Sequence, residues 1–214
     1  MLKIQVTIEL LSPLHLSSGQ ADVNVDAEVI HDSHGVPYFP AKRFKGLLYE
    51  SALELTEMAD LSGLTFLSKT EVDAFFQHGS QSDNQLIVPD FYLEDHQQSQ
   101  VDWEYLQTRY PAFIQPVDVL GEYTSIRYQT EINDDTGSAK KHSLHNMRVV
   151  EPGLKFVGEI LIAKGTLRHE EILALALKNL TTAGTKRNRG FGRVRCTMPD
   201  QENLIREALG KEAV

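Results

Sequence analysis

The sequence predicts an α+β fold, and three features carry that expectation. Segments with period-two alternation, such as residues 3–11 (KIQVTIELL) and 155–163 (KFVGEILIA), read as half-buried strands. Segments with apolar residues at helical spacing, one opening at Pro40 and one over residues 169–180, read as amphipathic helices. Turn chemistry punctuates them at Ser12-Pro13, at Gly35 with Pro37, at residues 133–137 (NDDTG) and at Pro152-Gly153.

Taken in order, residues 3–11 form the first strand. Residues 14–26 hold Ser-Ser-Gly and no helical period, so they read as a loop or irregular hairpin, and 27–30 suit a short strand. Residues 33–37 are a turn. The helix opened by Pro40 has the stripe Ala41, Phe44, Leu47, Leu48, Ala52 and Leu55, and proline suits a first turn, whose N–H has no helical partner anyway. Residues 55–82 are mixed, with a short helical piece at 70–77. Residues 86–93 (LIVPDFYL) read as a strand in which Pro89 implies an edge or a bulge. Residues 94–111 are polar and read as loop or helix, with Trp103 as a packing residue. Residues 117–130 and 143–150 read as two strands of a long β-hairpin with a polar tip. After the strand at 155–163 and the helix at 169–180 come a glycine-rich basic loop, a last strand at 193–198 and a charged helix over 201–213. Strand, helix, strand, hairpin, strand, helix, strand is a β-α-β-β-α-β core with insertions at about 55–85 and 94–115, the ferredoxin-like pattern. It is also the RRM-like shape, whose open sheet and loops bind single-stranded RNA. The whole of residues 1–214 is expected to form this one domain.

A length of 214 residues with 41% hydrophobic content suffices to bury a core. The lone cysteine, Cys196, excludes a disulfide framework and a cysteine-based zinc cluster, and suits a reducing cytoplasm. No run of apolar residues is long enough to span a membrane, and the first segment lacks the apolar centre of a signal peptide. A net charge of −9 runs against nucleic acid as a partner. Its distribution points the other way: residues 184–195 carry five basic side chains, Lys186, Arg187, Arg189, Arg193 and Arg195, and no acidic one, and Lys42, Arg43 and Lys45 form a second group.

The segment 183–194 (AGTKRNRGFGRV) holds most of the recognisable chemistry. Gly184, Gly190 and Gly192 permit tight turns and close approach of backbone N–H groups to an anion. The interleaved Lys and Arg supply charge for phosphates, and Phe191 could stack on a base or pack beneath the loop. The same residues also suit an ordinary solvated basic turn. Walker-loop spacing is absent, which excludes that route to nucleotide hydrolysis.

Here a resemblance becomes specific. Residues 183–194, ending Arg189-Gly190-Phe191-Gly192-Arg193, resemble the C-terminal glycine-rich loop of the RAMP superfamily of CRISPR-associated proteins. Residues 12–19 (SPLHLSSG) resemble the family's loop after the first strand. Asp26, His31-Asp32, residues 35–40 (GVPYFP) and Lys45-Gly46 resemble its approach to the first helix, and residues 86–91 its next strand. Residues 130–146 look like its thumb hairpin, followed by residues 150–153 (VEPG) and Phe156. These matches run in family order over most of the chain, outside about 55–85 and 94–115, and most resemble the repeating backbone subunit of type III Csm and Cmr effector complexes. One departure stands out: the family usually has Pro-Gly-Ser-Ser-Leu-Lys-Gly before the first helix, where this chain has residues 40–46 (PAKRFKG), basic side chains in place of small ones.

The resemblance implies CRISPR RNA and target RNA as ligands, other effector subunits as neighbours and head-to-tail self-assembly. It implies that His15, Lys42, Arg43, Lys45, Gly184, Lys186, Arg187, Arg189, Gly190, Phe191 and Arg193 hold guide RNA, and that the thumb, with Lys140 and Lys141, enters the guide–target duplex. Asp26 occupies the position of the aspartate for metal-dependent cleavage of target RNA, with Mg²⁺ as cofactor and RNA phosphates as the remaining ligands. On residue type alone Asp26 reads first as a solvated loop aspartate, and the family position makes catalysis an equal reading. His15 suits general acid–base work or packing within its loop. His31 and His34 flank Asp32 but lack a third strong metal ligand, and His142 and His145 suit RNA contact. Three readings follow: a backbone subunit that cleaves target RNA through Asp26, a purely structural RNA-binding subunit, and a stand-alone RNA-processing nuclease relying on a histidine.

Overall fold

A computed structural model describes residues 1–21, 24–77, 86–133, 137–140 and 142–210. The alternating first segment is β1 (Leu2–Leu10), with Ile4, Val6, Ile8 and Leu10 buried and Lys3 and Gln5 exposed. α1 (Ala41–Ser62) follows Pro40. It continues a full two turns past Leu55, where the sequence suggested mixed structure, because Thr56 and Ala59 extend the buried stripe of Phe44, Leu48 and Ala52. Gly63, at φ 69°, then closes it. α2 (Lys69–Phe76) starts with a reciprocal capping box between Ser68 and Glu71.

The strand expected over 86–93 is split into β2 (Leu86–Ile87) and β3 (Tyr92–Leu93), which pair with the same neighbouring strand. Between the pairs Ile87↔Leu161 and Tyr92↔Val157 one chain advances five residues and the other four. The extra residue is a bulge at Pro89, which has no N–H for the ladder. The polar stretch that follows is α3 (His96–Arg109), whose Trp103 packs against the core, its indole N–H donating to the Tyr123 hydroxyl at 3.1 Å.

The next segment corrects the sequence reading. Residues expected to begin a strand at 117 instead form α4 (Pro116–Tyr123). Pro116 supplies a helical first turn, Asp118 accepts the Gln115 N–H at 2.8 Å, and Val119 and Leu120 face inward. The hairpin is therefore shorter than 117–150. Its strands are β4 (Thr124–Gln129) and β5 (His145–Val150), paired antiparallel from Thr124↔Val150 to Gln129↔His145 as a separate two-stranded sheet. β6 (Lys155–Ile162), α5 (Leu167–Asn179), β7 (Val194–Thr197) and α6 (Gln201–Gly210) complete the described chain. α5 begins two residues before the expected start because His169 accepts the Thr166 N–H. The segment 27–30 makes one isolated bridge, Val29 with Ser17, rather than a strand.

The main sheet has the spatial order β2–β6–β1–β7, with β3 also on β6, and every pairing is antiparallel. α1 and α5 pack together, and α5 also meets β7 and α6. The core contains an edge-to-face aromatic cluster: Phe44 lies 4.6 Å from Phe91 and 5.5 Å from Phe39, between ring centroids. Gly158 on β6 is what admits Phe91, since a Cβ there would stand 2.9 Å from its ring. Among the described residues no helix is long and apolar enough to cross a membrane.

Candidate nucleic-acid interface

The glycine-rich loop after α5 folds back onto the loop after β1. The Gly192 N–H donates to the Pro13 carbonyl at 2.9 Å, the Arg193 N–H to Ser12 Oγ at 2.8 Å, and the Thr185 N–H to the His15 carbonyl at 3.2 Å. Gly184 and Gly192 sit at φ 75° and 76°, where a Cβ would stand 2.6 Å from the His15 carbonyl oxygen and 1.9 Å from that of Ala183. These two glycines therefore serve the protein's own backbone packing. Gly190, at φ 83°, faces open space. Between them Lys186 takes a left-handed conformation and residues Arg187–Arg189 make one turn of 3-10 helix, which leaves Arg187 and Arg189 exposed.

This docking brings three remote segments to one groove of about 300 Å³. The loop after β1 contributes His15, Leu16 and Ser17; the start of α1 contributes Lys42, Arg43 and Leu47; the glycine-rich loop contributes Gly184, Thr185 and Arg187. The positive charge of the groove is that of Lys42, Arg43 and Arg187, since the N-terminus of α1 is itself capped by the Asp90 carboxylate. The Arg43 guanidinium also donates to the Ser17 carbonyl, tying the helix to the loop. Leu16 and Leu47 give the groove an apolar wall, and Glu50 places one carboxylate in it.

The remaining expected RNA contacts are placed differently. Lys186 lies beside the groove, its Nζ donating to Gln129 Oε1 at 2.5 Å at the tip-ward end of β4. Burial, and then the charge of Arg189, lower its pKa. Lys45 turns away, toward the Leu86 carbonyl at 3.5 Å, and burial lowers its pKa too. Arg193 lines a different cavity, of about 360 Å³, with Lys178, Arg195 and Glu202. Phe191 is half-buried. Lys140 is paired with Glu131 near the hairpin tip, and Lys141 lies outside the described residues.

His15 is only 3% exposed, and its Nδ1 is 2.7 Å from the Arg148 carbonyl oxygen. Burial lowers its pKa against the opposing effect of that hydrogen bond, with Lys186 and Arg43 lowering it further, so the ring is neutral near pH 7. Asp26 is exposed. Its N–H donates to Asn146 Oδ1 at 2.8 Å, and its Oδ2 accepts the Asn146 N–H at 2.8 Å, which fixes the carboxylate against β5. Among the described residues no three His, Cys, Asp or Glu side chains converge on a common point. Asp26 therefore fits a divalent ion only as one ligand of several, with phosphates and water completing the shell. The histidines of the 31–34 turn make hydrogen bonds instead: His31 with the Asp32 carbonyl at 2.7 Å and His34 with Gln107 Oε1 at 3.0 Å.

Sequence reasoning missed the buried partners at the junction of loop and hairpin. Glu28 and Arg148, 8% and 7% exposed, form an ion pair in which Arg148 Nε lies 2.9 and 3.0 Å from the two carboxylate oxygens. The available signal was a lone arginine between Met147 and Val149 in an apolar strand, which requires a buried acceptor. It also missed Asp90, whose carboxylate accepts the Ala41 N–H at 2.7 Å and caps α1.

Comparison with known proteins bears on this arrangement. No curated protein sequence matches the chain. A chain of the type III-B Cmr-β complex, solved by cryo-EM bound to cognate target RNA, superimposes with a TM-score of 0.64 at 11% identity, covering 96% of this chain and 99% of that one. A chain from the apo state of type III-B Cmr-β gives a TM-score of 0.63 at 12% identity, covering 95% and 98%. At such identities the likeness is one of fold. A sequence model of the RAMP superfamily matches residues 7–195, from β1 into β7. With the glycine-rich loop docked on the loop after the first strand, and that match spanning nearly the whole chain, the protein belongs to the RAMP superfamily.

Proposed function

We propose that the chain is a guide-RNA-binding backbone subunit of a type III CRISPR interference complex, working in the cytoplasm beside other effector subunits and stacking head to tail along RNA. The observation that carries this is the groove: Lys42, Arg43 and Arg187, distant in sequence, line one cleft walled by Leu16 and Leu47. Cations would hold phosphates while apolar side chains accept a sugar or base face. The order β1, α1, β2/β3, β6, α5, β7 with β1 and β6 central supports a ferredoxin-like, RRM-like core. On this reading the core, the helical insertions and the β4–β5 hairpin make one domain, and the hairpin is a thumb that enters the guide–target duplex. The fold likeness to Cmr-β chains, one of them bound to target RNA, supports the same assignment.

Asp26 lies against Asn146, in the tip-ward half of the paired hairpin strands, and a target nucleotide displaced by the thumb would meet it there. Cleavage by the neighbouring 2′-OH needs in-line alignment, which positioning by the hairpin supplies. A divalent ion, Mg²⁺ by its ligand chemistry, would offset charge on the phosphate oxygens there. A second reading, a structural subunit with an inert Asp26, is favoured by one observation: the reciprocal hydrogen bonds with Asn146 already give the carboxylate a structural task. The burial of His15 weighs against a stand-alone nuclease relying on that ring. The part of the glycine-rich loop in this interface is tested by changing Lys186, Arg187 and Arg189 together to Ala. RNA affinity should fall, and the log–log salt slope should flatten by roughly 0.7 for each lost single-strand phosphate contact. An unchanged slope in a filter-binding titration removes the loop from the interface.

A further inference from the structure

The β4–β5 hairpin is hydrogen-bonded as its own two-stranded sheet, separate from the main one. Two strands alone are marginal in water, so the hairpin takes its direction from what its base rests on. That base is the loop after β1. Leu14 bridges Val150, the Arg148 N–H donates to the Ala27 carbonyl at 3.0 Å, and the His15 ring meets the Arg148 carbonyl. Two side-chain ties lie two residues apart on each segment: Asp26 with Asn146, and Glu28 with Arg148. The second is buried, and Arg148 also reaches Thr124 Oγ1 on β4 at 3.3 Å.

Main-chain hydrogen bonds to this loop come from alternate residues of β5, Arg148 and Val150, and are blind to a slip of two residues, which keeps their direction. The ion pair is not. Such a slip would set Asn146 or Val150 against Glu28 and part the two buried charges. Buried ion pairs add little net stability over an apolar pair, and their attested use is to select one register. We propose that Glu28 and Arg148 are positioning residues: their buried pair selects the register of β5 against residues 24–29, and so sets the direction of the hairpin relative to the groove and to Asp26. The consequence for target RNA rests on the function proposed above; the structural claim does not.

The test therefore uses the protein without RNA. Nitroxide labels at Tyr128→Cys on β4 and Glu57→Cys on α1, both exposed, report the distance from hairpin to core. Cys196 is buried, and burial pushes its thiol up to about 12, so it stays unlabelled. Electron–electron resonance on the otherwise unmutated protein should give one narrow distance distribution. Glu28→Gln, and the apolar pair Glu28→Leu with Arg148→Met, should broaden it or split it in two, with the double variant melting close to its parent. A double variant with one peak as narrow as the parent's overturns the proposal. A double variant that fails to fold also overturns it, since the pair would then serve stability. Either result leaves the RNA reading to its own salt-dependence test.

Discussion

Gly192 and Gly190 stand two residues apart with nearly equal φ, 76° and 83°, yet the structure gives them different tasks. Replacing either with Ala imposes a left-handed conformation that costs ~1–2 kcal/mol. At Gly190 the new Cβ meets nothing within 4 Å. At Gly192 it would stand 1.9 Å from the Ala183 carbonyl oxygen, a backbone atom in a segment held by the Ala183 N–H bond to the Gly192 carbonyl at 2.8 Å. Relieving that overlap requires backbone displacement, at a further ~1–3 kcal/mol. For a chain of 214 residues each kcal/mol shifts Tm by ~2–4 °C. Thermal melts followed by near-ultraviolet circular dichroism should therefore show a fall of about 4 °C for Gly190→Ala and about 10 °C for Gly192→Ala. Only Gly192→Ala should also loosen the loop from Pro13 and His15 and weaken RNA binding in proportion to its lost stability. Equal melting shifts for the two variants would refute the claim that Gly192 serves backbone packing.

Asp26→Asn retains an oxygen to accept the Asn146 N–H, so guide and target binding should stay within a small factor while regularly spaced target cleavage by the assembled complex disappears; cleavage at the unmutated rate would establish the structural-subunit reading. Acid should expose a clamp between α2 and α5: burial raises the Glu71 pKa, but hydrogen bonds from Arg168 and Ser68 outweigh it and bring the carboxyl down to about 2. A depressed carboxyl pKa means the stabilisation is present above the unfolded value of 4.5 and is lost as pH falls from there through about 2. Arg168→Met should therefore lower stability at neutral pH and flatten the acid limb of a stability-versus-pH curve in that window, so that the difference from the unmutated protein narrows as the pH falls; an acid limb as steep as the unmutated protein's would refute the clamp. Head-to-tail contacts that do not close build filaments, so light scattering should rise when guide RNA is added, and a strictly monomeric protein indifferent to RNA would count against the backbone role.

Local physical chemistry makes much of the chain legible from its sequence. The alternation of β1 and β6, the stripe of α1, the bulge at Pro89 and the turn at Pro152-Gly153 each depend on a few consecutive residues, and each appears where period and turn chemistry place it. The basic, glycine-rich character of residues 183–194 was equally open to reading. Where local preference was ambiguous, tertiary context decided. The VDVL run after Pro116 suits strand or helix, and a proline first turn with two inward side chains made it α4. Nor could composition divide labour among the glycines, because the reason for Gly192 is a carbonyl nine residues earlier and that for Gly184 is one on the loop after β1.

The site shows the same division. Sequence alone supplied the residue types for a phosphate-binding surface: two basic groups in an acidic chain, one beside a helix start and one among glycines. Only folding decided which of them share a groove. It joined Lys42 and Arg43 to Arg187, sent Lys45 toward the Leu86 carbonyl, and put Arg193 on another cavity. It also buried His15 and matched Glu28 to Arg148, 120 residues away. The physical reason is distance along the chain. Hydrogen-bonding partners, burial and the charges that shift a pKa belong to neighbours in space, and those neighbours are set by how the loop after β1 is held between the glycine-rich loop and the hairpin.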